Sequence, residues 1–169
     1  MTDSATAATP VPLRIERVGF GHPDAVLLIE AVQAEYVVRY GGPDDTPLDP
    51  AMFEPPGGSF FVGYADGVPV ATGAWRARSD VDALGSARTA EIKRMYVAPE
   101  VRGAGHARGM LAHLEATASA VGAEVMILET GLAQPEAIAL YQSAGYTRIP
   151  PFGYYKKSPS VRCFAKLLV

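Results

Sequence analysis

Two periodicities divide the chain. Alternation of apolar and charged residues from Leu13 to Val18 predicts a half-buried strand. From about Ala25 to Tyr40 the apolar positions shift to helical spacing. Val26, Ile29, Val32, Tyr36 and Val37 share one face, and Gly41-Gly42 supplies the stop. Periodicity then lapses between Pro43 and Gly58, where five prolines alternate with Asp44, Asp45, Asp49 and Glu54. This reads as a long loop with at most a helical turn near Asp49 to Phe53. Ser59–Ala65 and Val68–Arg78 flank Asp66-Gly67, a strong hairpin signal. A polar connection, Ser79 to Ser86, leads to a further strand from Glu91 to Val97, stopped by Pro99. Ala107, Met110, Leu111, Leu114, Ala118 and Val121 recur at helical spacing up to Gly122. Glu124 to Thr130 is a continuous apolar run of strand length, as a buried parallel strand requires. Pro135 opens a helix through Ala137, Ile138, Leu140, Tyr141 and Ala144, and Tyr146–Ile149 and Val161–Leu168 read as closing strands. The pattern predicts an α/β fold with a mixed central sheet, without internal repeat or second domain.

The most informative stretch is Arg102-Gly103-Ala104-Gly105-His106-Ala107, which links a strand to an amphipathic helix. The first N–H groups of a helix lack internal partners, and the macrodipole places about half a positive charge there. Gly103 and Gly105 remove side chains that would hold an anion off the backbone, and Arg102 adds a planar cationic donor. The expected ligand therefore carries phosphates. No Gly-Lys-Ser/Thr follows, as a P-loop would need, and Arg108 stands where a dinucleotide fingerprint would have its third glycine.

Composition narrows the field. At 169 residues, with 49% hydrophobic and 20% charged residues, the chain has the balance of a soluble globular domain. A net charge of −3 argues against nucleic acid as the main partner. No apolar run reaches the length of a membrane span. Residues 1–12 lack the basic start and apolar core of a signal peptide and read as a disordered tail. That leaves 13–169 as one domain with a cytoplasmic location expected. Cys163 lies in an apolar alternation and reads as a packing residue. His22 reads as a turn residue and His113 as solvent-exposed. No His/Cys/Asp spacing suggests a metal site, and no Ser-His-Asp constellation can be defended.

The loop, its preceding strand Lys93-Arg94-Met95-Tyr96-Val97-Ala98-Pro99 and the helix after it resemble the pyrophosphate-binding segment of the GNAT-type N-acetyltransferases, Arg/Gln-x-x-Gly-x-Gly/Ala. Leu140-Tyr141-Gln142-Ser143-Ala144-Gly145-Tyr146 resembles that family's Leu-Tyr-x-x-x-Gly-Phe/Tyr segment. The resemblance covers most of the chain beyond residue 58. It implies a mixed, mostly antiparallel sheet of six to seven strands with about four helices. It also implies a cofactor-binding core at about 88–149, an acceptor-side region at about 22–58, and a possible homodimer. The cosubstrate would be acetyl-CoA, with no metal, and the partner an amine acceptor. The backbone of Met95, Tyr96 and Val97 would pair with the pantetheine arm beside a splay in the sheet. The N–H groups of Gly103, Ala104, Gly105, His106 and Ala107 would hold the pyrophosphate, with Arg102 beside them. Gln134 stands where many relatives carry an asparagine that contacts pantetheine.

Direct acetyl transfer needs a neutral amine, and an alkyl amine with a pKa of about 10.4 is almost wholly protonated at neutral pH. By resemblance Glu91 is the base, acting through water; Glu129 on the next strand is the rival carboxylate. Glu91 could equally be an ion-pair partner of Lys93 or Arg94. Tyr141 matches the position of a tyrosine that reprotonates the departing thiolate, and its helix position also suits plain packing. Tyr36, Arg39, Tyr40, Phe152, Tyr154 and Tyr155 are candidate walls of the acceptor site. The acidic loop favours a cationic acceptor, whereas Arg39 would suit an acceptor carboxylate. A module that binds acyl-CoA without turnover, and a transferase for a longer acyl group, are the alternative readings.

Overall fold

The computed structural model describes residues 12–168; the tail read over residues 1–12 lies, apart from its last residue, outside them. The elements follow the order β1 (Arg14–Val18), α1 (Pro23–Tyr40), β2 (Gly58–Ala65), β3 (Val68–Ala77), β4 (Thr89–Val97), α2 (His106–Ala120), β5 (Val125–Gly131), α3 (Pro135–Ser143), β6 (Thr147–Ile149) and β7 (Val161–Leu167). One seven-stranded sheet runs in the order β1-β2-β3-β4-β5-β7-β6. All its pairings are antiparallel except β4 with β5.

Three α-helices flank this sheet among the described residues, one fewer than expected. The proline-rich 43–58 segment contributes only a 3-10 turn, Pro50–Phe53. Prolines lack the amide donor and fix φ, so this segment has too few consecutive donors to close helical turns. Asp49 caps the turn by accepting from the Ala51 N–H at 2.9 Å. Val121, read from spacing as part of the α2 apolar face, instead follows the helix end and is exposed.

The two faces of β2 show how the layers form. Phe61 meets His113 of α2 edge-on, with ring centroids 4.6 Å apart. On the opposite face Phe60 packs against Phe53 and Phe20, and the Tyr64 hydroxyl donates to Asp24 of α1 at 2.6 Å. His113 is thus half-buried rather than exposed, and burial lowers its pKa. Gly73 lets α2 approach the sheet closely, since a Cβ there would lie 2.9 Å from Met110 Cγ. Met110, Leu111, Leu114 and Ala118 fill that layer completely.

The central feature for function is a break in the sheet. β4 and β5 pair only over Thr89–Glu91 and Val125–Ile127, then part. On its other side β4 carries one extra residue opposite β3, with Arg94 at φ +53°. Such a bulge bends its strand and adds twist, which turns the end of β4 away from β5. The Thr72 hydroxyl fixes the distortion by donating to the Arg94 carbonyl at 2.7 Å.

Candidate active site

Two contiguous cavities occupy the opening between β4 and β5. One, of about 260 Å³, runs along Met95 and Val97 towards Ala107, Leu140 and Tyr141. The other, of about 310 Å³, lies beyond it under Tyr36, Tyr40, Pro43, Tyr155 and Ser160. Tyr36, Asp44, Lys93, Glu129, Thr130 and Gln134 line both, so they mark the junction.

The first cavity is built by backbone. The Ala98 N–H donates to Val70 on β3, so strand alternation turns the polar groups of Val97 and Met95 to the open side. Met95 has no ladder partner on either side. Tyr96 pairs with Thr72 and its backbone faces β3, away from the opening. At the far end Gly103 and Gly105 have φ of +87° and +83°, and a Cβ built on either would meet no atom within 4 Å. Gly105 starts α2 with no side-chain cap, so the first helix N–H groups face an unobstructed turn. This open turn at the end of an extended slot fits a pyrophosphate with an arm attached. His106 is the first residue of α2 and buried, so its backbone rather than its ring faces this turn. Arg102 folds back instead of spanning the loop. Its Nε donates to the Val97 carbonyl at 2.9 Å, its NH2 to Glu35 at 2.9 Å, and its guanidinium lies 5.6 Å from the Tyr96 ring centroid.

The residues 28–146 match the acetyltransferase (GNAT) family, well over half of the chain. The chain belongs to the GNAT acetyltransferase family. An "IAA acetyltransferase" of Azospirillum brasilense is 34% identical over 137 residues, covering 80% of this chain and 86% of that one. Among solved structures, a presumed acyl-CoA N-acyltransferase from Klebsiella pneumoniae superposes with a TM-score of 0.74 at 27% identity, covering 94% and 99% of the two chains. An IAA acetyltransferase from Bacillus cereus shares the fold with a TM-score of 0.61 at 22% identity, over 93% and 100%. GNAT membership makes the chain an acyltransferase by family and implies acyl-CoA use. Among the described residues no helix is long and apolar enough to cross a membrane, and no group of three or more His, Cys, Asp or Glu is placed to hold a metal.

Within this GNAT frame the acidic and basic side chains fall into two separate groups. Glu91 is fully buried, and its Oε1 accepts from Arg76 Nε at 2.9 Å and from Arg78 NH1 at 2.8 Å. It lines neither cavity. Glu129 lines both, and its Oε2 is buried without a hydrogen-bond partner. A Cβ on Gly153 would fall 2.2 Å from that oxygen, so the late loop presses directly on the carboxylate. Burial raises the Glu129 pKa above its ordinary value; Lys93 opposes the shift, and Glu91 reinforces it.

Asp44 reaches over the junction from the 43–58 loop and meets Arg94 at 2.5 Å and Lys93 at 3.9 Å. Burial opposes its ionisation, but Lys93, two hydrogen bonds from Thr46, and Arg94 outweigh it and bring the carboxyl to about 2. Because the folded pKa is depressed, this stabilisation is present above the ordinary value of 3.8 and is lost as pH falls towards 2. We expect Asp44→Asn to cost about 2 kcal/mol of unfolding free energy at neutral pH. Denaturant titrations should show that difference shrinking through the same acid window.

Tyr141 is buried beside Tyr146, with ring centroids 5.7 Å apart, and lines the first cavity. Burial pushes its phenol well above 10, so it stays protonated. Tyr36 is partly buried, and desolvation raises it to about 12. The Gln134 carboxamide oxygen accepts from the Tyr40 hydroxyl at 3.0 Å and ties the N-terminus of α3 to α1. Of the remaining expected wall residues, Arg39 is spent on Glu136, Glu35 and the Ala133 carbonyl. Phe152 packs under Arg78, and Tyr154 is exposed against Tyr155; neither lines the cavities. Tyr155 does, and its hydroxyl accepts from the Asp45 N–H at 2.7 Å.

Sequence reasoning gave Lys93 no role beyond ion pairing. Alternation along β4 places it on the face of Glu91, but only the bulge at Arg94 turns that face into a cavity wall, and nothing local in the sequence announces a bulge there.

Proposed function

We propose that the chain is an N-acetyltransferase that moves an acetyl group from acetyl-CoA directly to a primary amine. The observation that carries this is the junction itself. An exposed strand edge leading to an open glycine turn meets, at Glu129, a second cavity with its own opening. Two substrates can therefore occupy the adjoining cavities and touch.

Acetyl-CoA, when bound, supplies an acetyl thioester already activated for attack. The Met95 backbone and the Val97 N–H extend the sheet edge along the pantetheine arm, the Val97 carbonyl being held by Arg102. The N–H groups from Gly103 to Ala107 take the pyrophosphate. In the transfer step the amine nitrogen bonds to the acetyl carbon, the carbon–sulfur bond breaks, and its electron pair leaves on sulfur. The ammonium first gives one proton to a carboxylate to become the attacking amine. After attack the nitrogen sheds a second proton to water, the thiolate receives a proton from Tyr141, and solvent reprotonates the phenolate.

Glu129 is the better base. Glu91 has its carboxylate oxygen engaged by two guanidiniums and faces neither cavity. Asp44 is held ionised by its cations and is too weak a base. Glu129 has an unpartnered oxygen, touches both cavities, and has its pKa raised towards the useful range.

Initial-rate kinetics of thiol release test the direct-transfer reading, with acetyl-CoA and amine both varied. We expect intersecting double-reciprocal lines. Parallel lines would mean that the acetyl group first passes to the protein and would overturn the scheme.

A further inference from the structure

The second cavity holds two opposite charges that do not satisfy one another. Lys93 is 8% exposed, yet its ammonium makes no hydrogen bond among the described residues; its nearest carboxylate is Asp44 at 3.9 Å. Asp44 itself is taken by Arg94 at 2.5 Å and by the Thr46 hydroxyl at 2.6 Å. Across the junction Glu129 leaves Oε2 unpartnered and forms no ion pair with Lys93. Leaving the ammonium of a side chain only 8% exposed without a hydrogen bond, and a carboxylate oxygen buried without a partner, is costly, and closing them onto each other would relieve it. They stay apart because separate strands hold them across the splay. Lys93 lies on the last stretch of β4 before the bulge, and Glu129 on β5 beyond the end of the shared ladder.

A molecule that bridges the pair must itself carry both signs. We propose that the acceptor is an amino carboxylate: its amine faces Glu129, and its carboxylate is held by Lys93. This deepens the N-acetyltransferase reading above and rests on it. Arg39, which would suit an acceptor carboxylate from sequence alone, is occupied elsewhere, and Lys93 takes its place. Asp49 caps a turn and Asp44 is neutralised, so of the loop's four acids only Asp45 remains unpaired at the second cavity among the described residues. A second ammonium in place of the acceptor carboxylate would meet Lys93. Polyamines are thereby disfavoured.

The test is a thiol-release panel with acetyl-CoA and three matched series of primary amines of equal chain length: amino carboxylates, alkylamines and diamines. The best amino carboxylate should exceed its matched alkylamine in kcat/KM by roughly tenfold or more, the worth of one charge-assisted hydrogen bond, and diamines should be poorest. In Lys93→Met, a change of similar volume, the ratio of amino-carboxylate to alkylamine kcat/KM should collapse through the amino-carboxylate KM; any change the variant makes to Glu129 acts on all amines alike and cancels in that ratio. Alkylamines or diamines that match the amino carboxylates in the wild type would overturn the proposal without any variant being made. A Lys93→Met variant that keeps the full preference for amino carboxylates, with all amines slowed equally, would show that Lys93 does not hold the acceptor carboxylate and would also overturn it. No thiol release with any amine, by protein that binds acetyl-CoA, would defeat the N-acetyltransferase reading itself.

Discussion

Glu129→Gln is expected to lower kcat by roughly a hundred- to a thousandfold, the range for loss of a positioned general base. The substitution keeps the shape of the side chain and removes only its capacity to take a proton. Acetyl-CoA affinity and melting temperature should therefore hold. The pH profile gives the sharper readout. In the wild type the acid limb of kcat should lie above the ordinary carboxylate value of 4.5, since burial raises the group that must be deprotonated. Activity then falls as pH drops through that raised pKa, and the limb should vanish in the variant. Weakly basic amines, already neutral in solution, should lose less than alkyl amines. A uniform loss across amines with an unchanged acid limb would remove Glu129 as the base.

Gly105→Glu should weaken acetyl-CoA binding by at least a hundredfold on the order of several kcal/mol, the scale of a like-charge juxtaposition. At φ +83° any side chain is strained, but nothing lies within 4 Å of the Cβ position, so the fold can accommodate one. Gly105→Ala isolates the strain, about 1–2 kcal/mol, and should lower melting by a few degrees with a far smaller loss of affinity. The glutamate adds a carboxylate where the pyrophosphate would lie. Charge repulsion at an exposed turn is screened, so raising the salt concentration should recover part of the binding. Equal affinities for the alanine and glutamate variants would mean that no phosphate sits there.

Sequence and structure agree most closely where local chemistry decides the outcome. Asp66-Gly67 makes its hairpin, Pro135 opens α3, and Gly122, at φ +97°, follows the end of α2. The glycine turn before α2 was equally legible, because φ > 0 at Gly103 and Gly105 is a property of those residues. What the sequence hid is tertiary. Glu91 and Glu129 are both strand glutamates, two residues apart in sheet register, since Glu91 pairs with Ile127. Their fates differ because Arg76 on β3 and Arg78 just past its end reach one and not the other. Arg39 similarly looked free in a helix until α3 brought Glu136 to it. The bulge at Arg94 is the largest omission: a positive φ at arginine carries no local signal, yet it opens the cleft on which the site depends.

Every role proposed for the site depends on where the acyl donor lies. Amide resonances followed during titration with acetyl-CoA measure this directly. The largest shifts should fall on Met95, Val97 and Gly103 to Ala107, with smaller ones at Lys93 and Glu129 and none along the β1–β2 edge. Shifts centred instead on the groove beside Arg76 and Arg78, with the glycine turn unmoved, would contradict that placement.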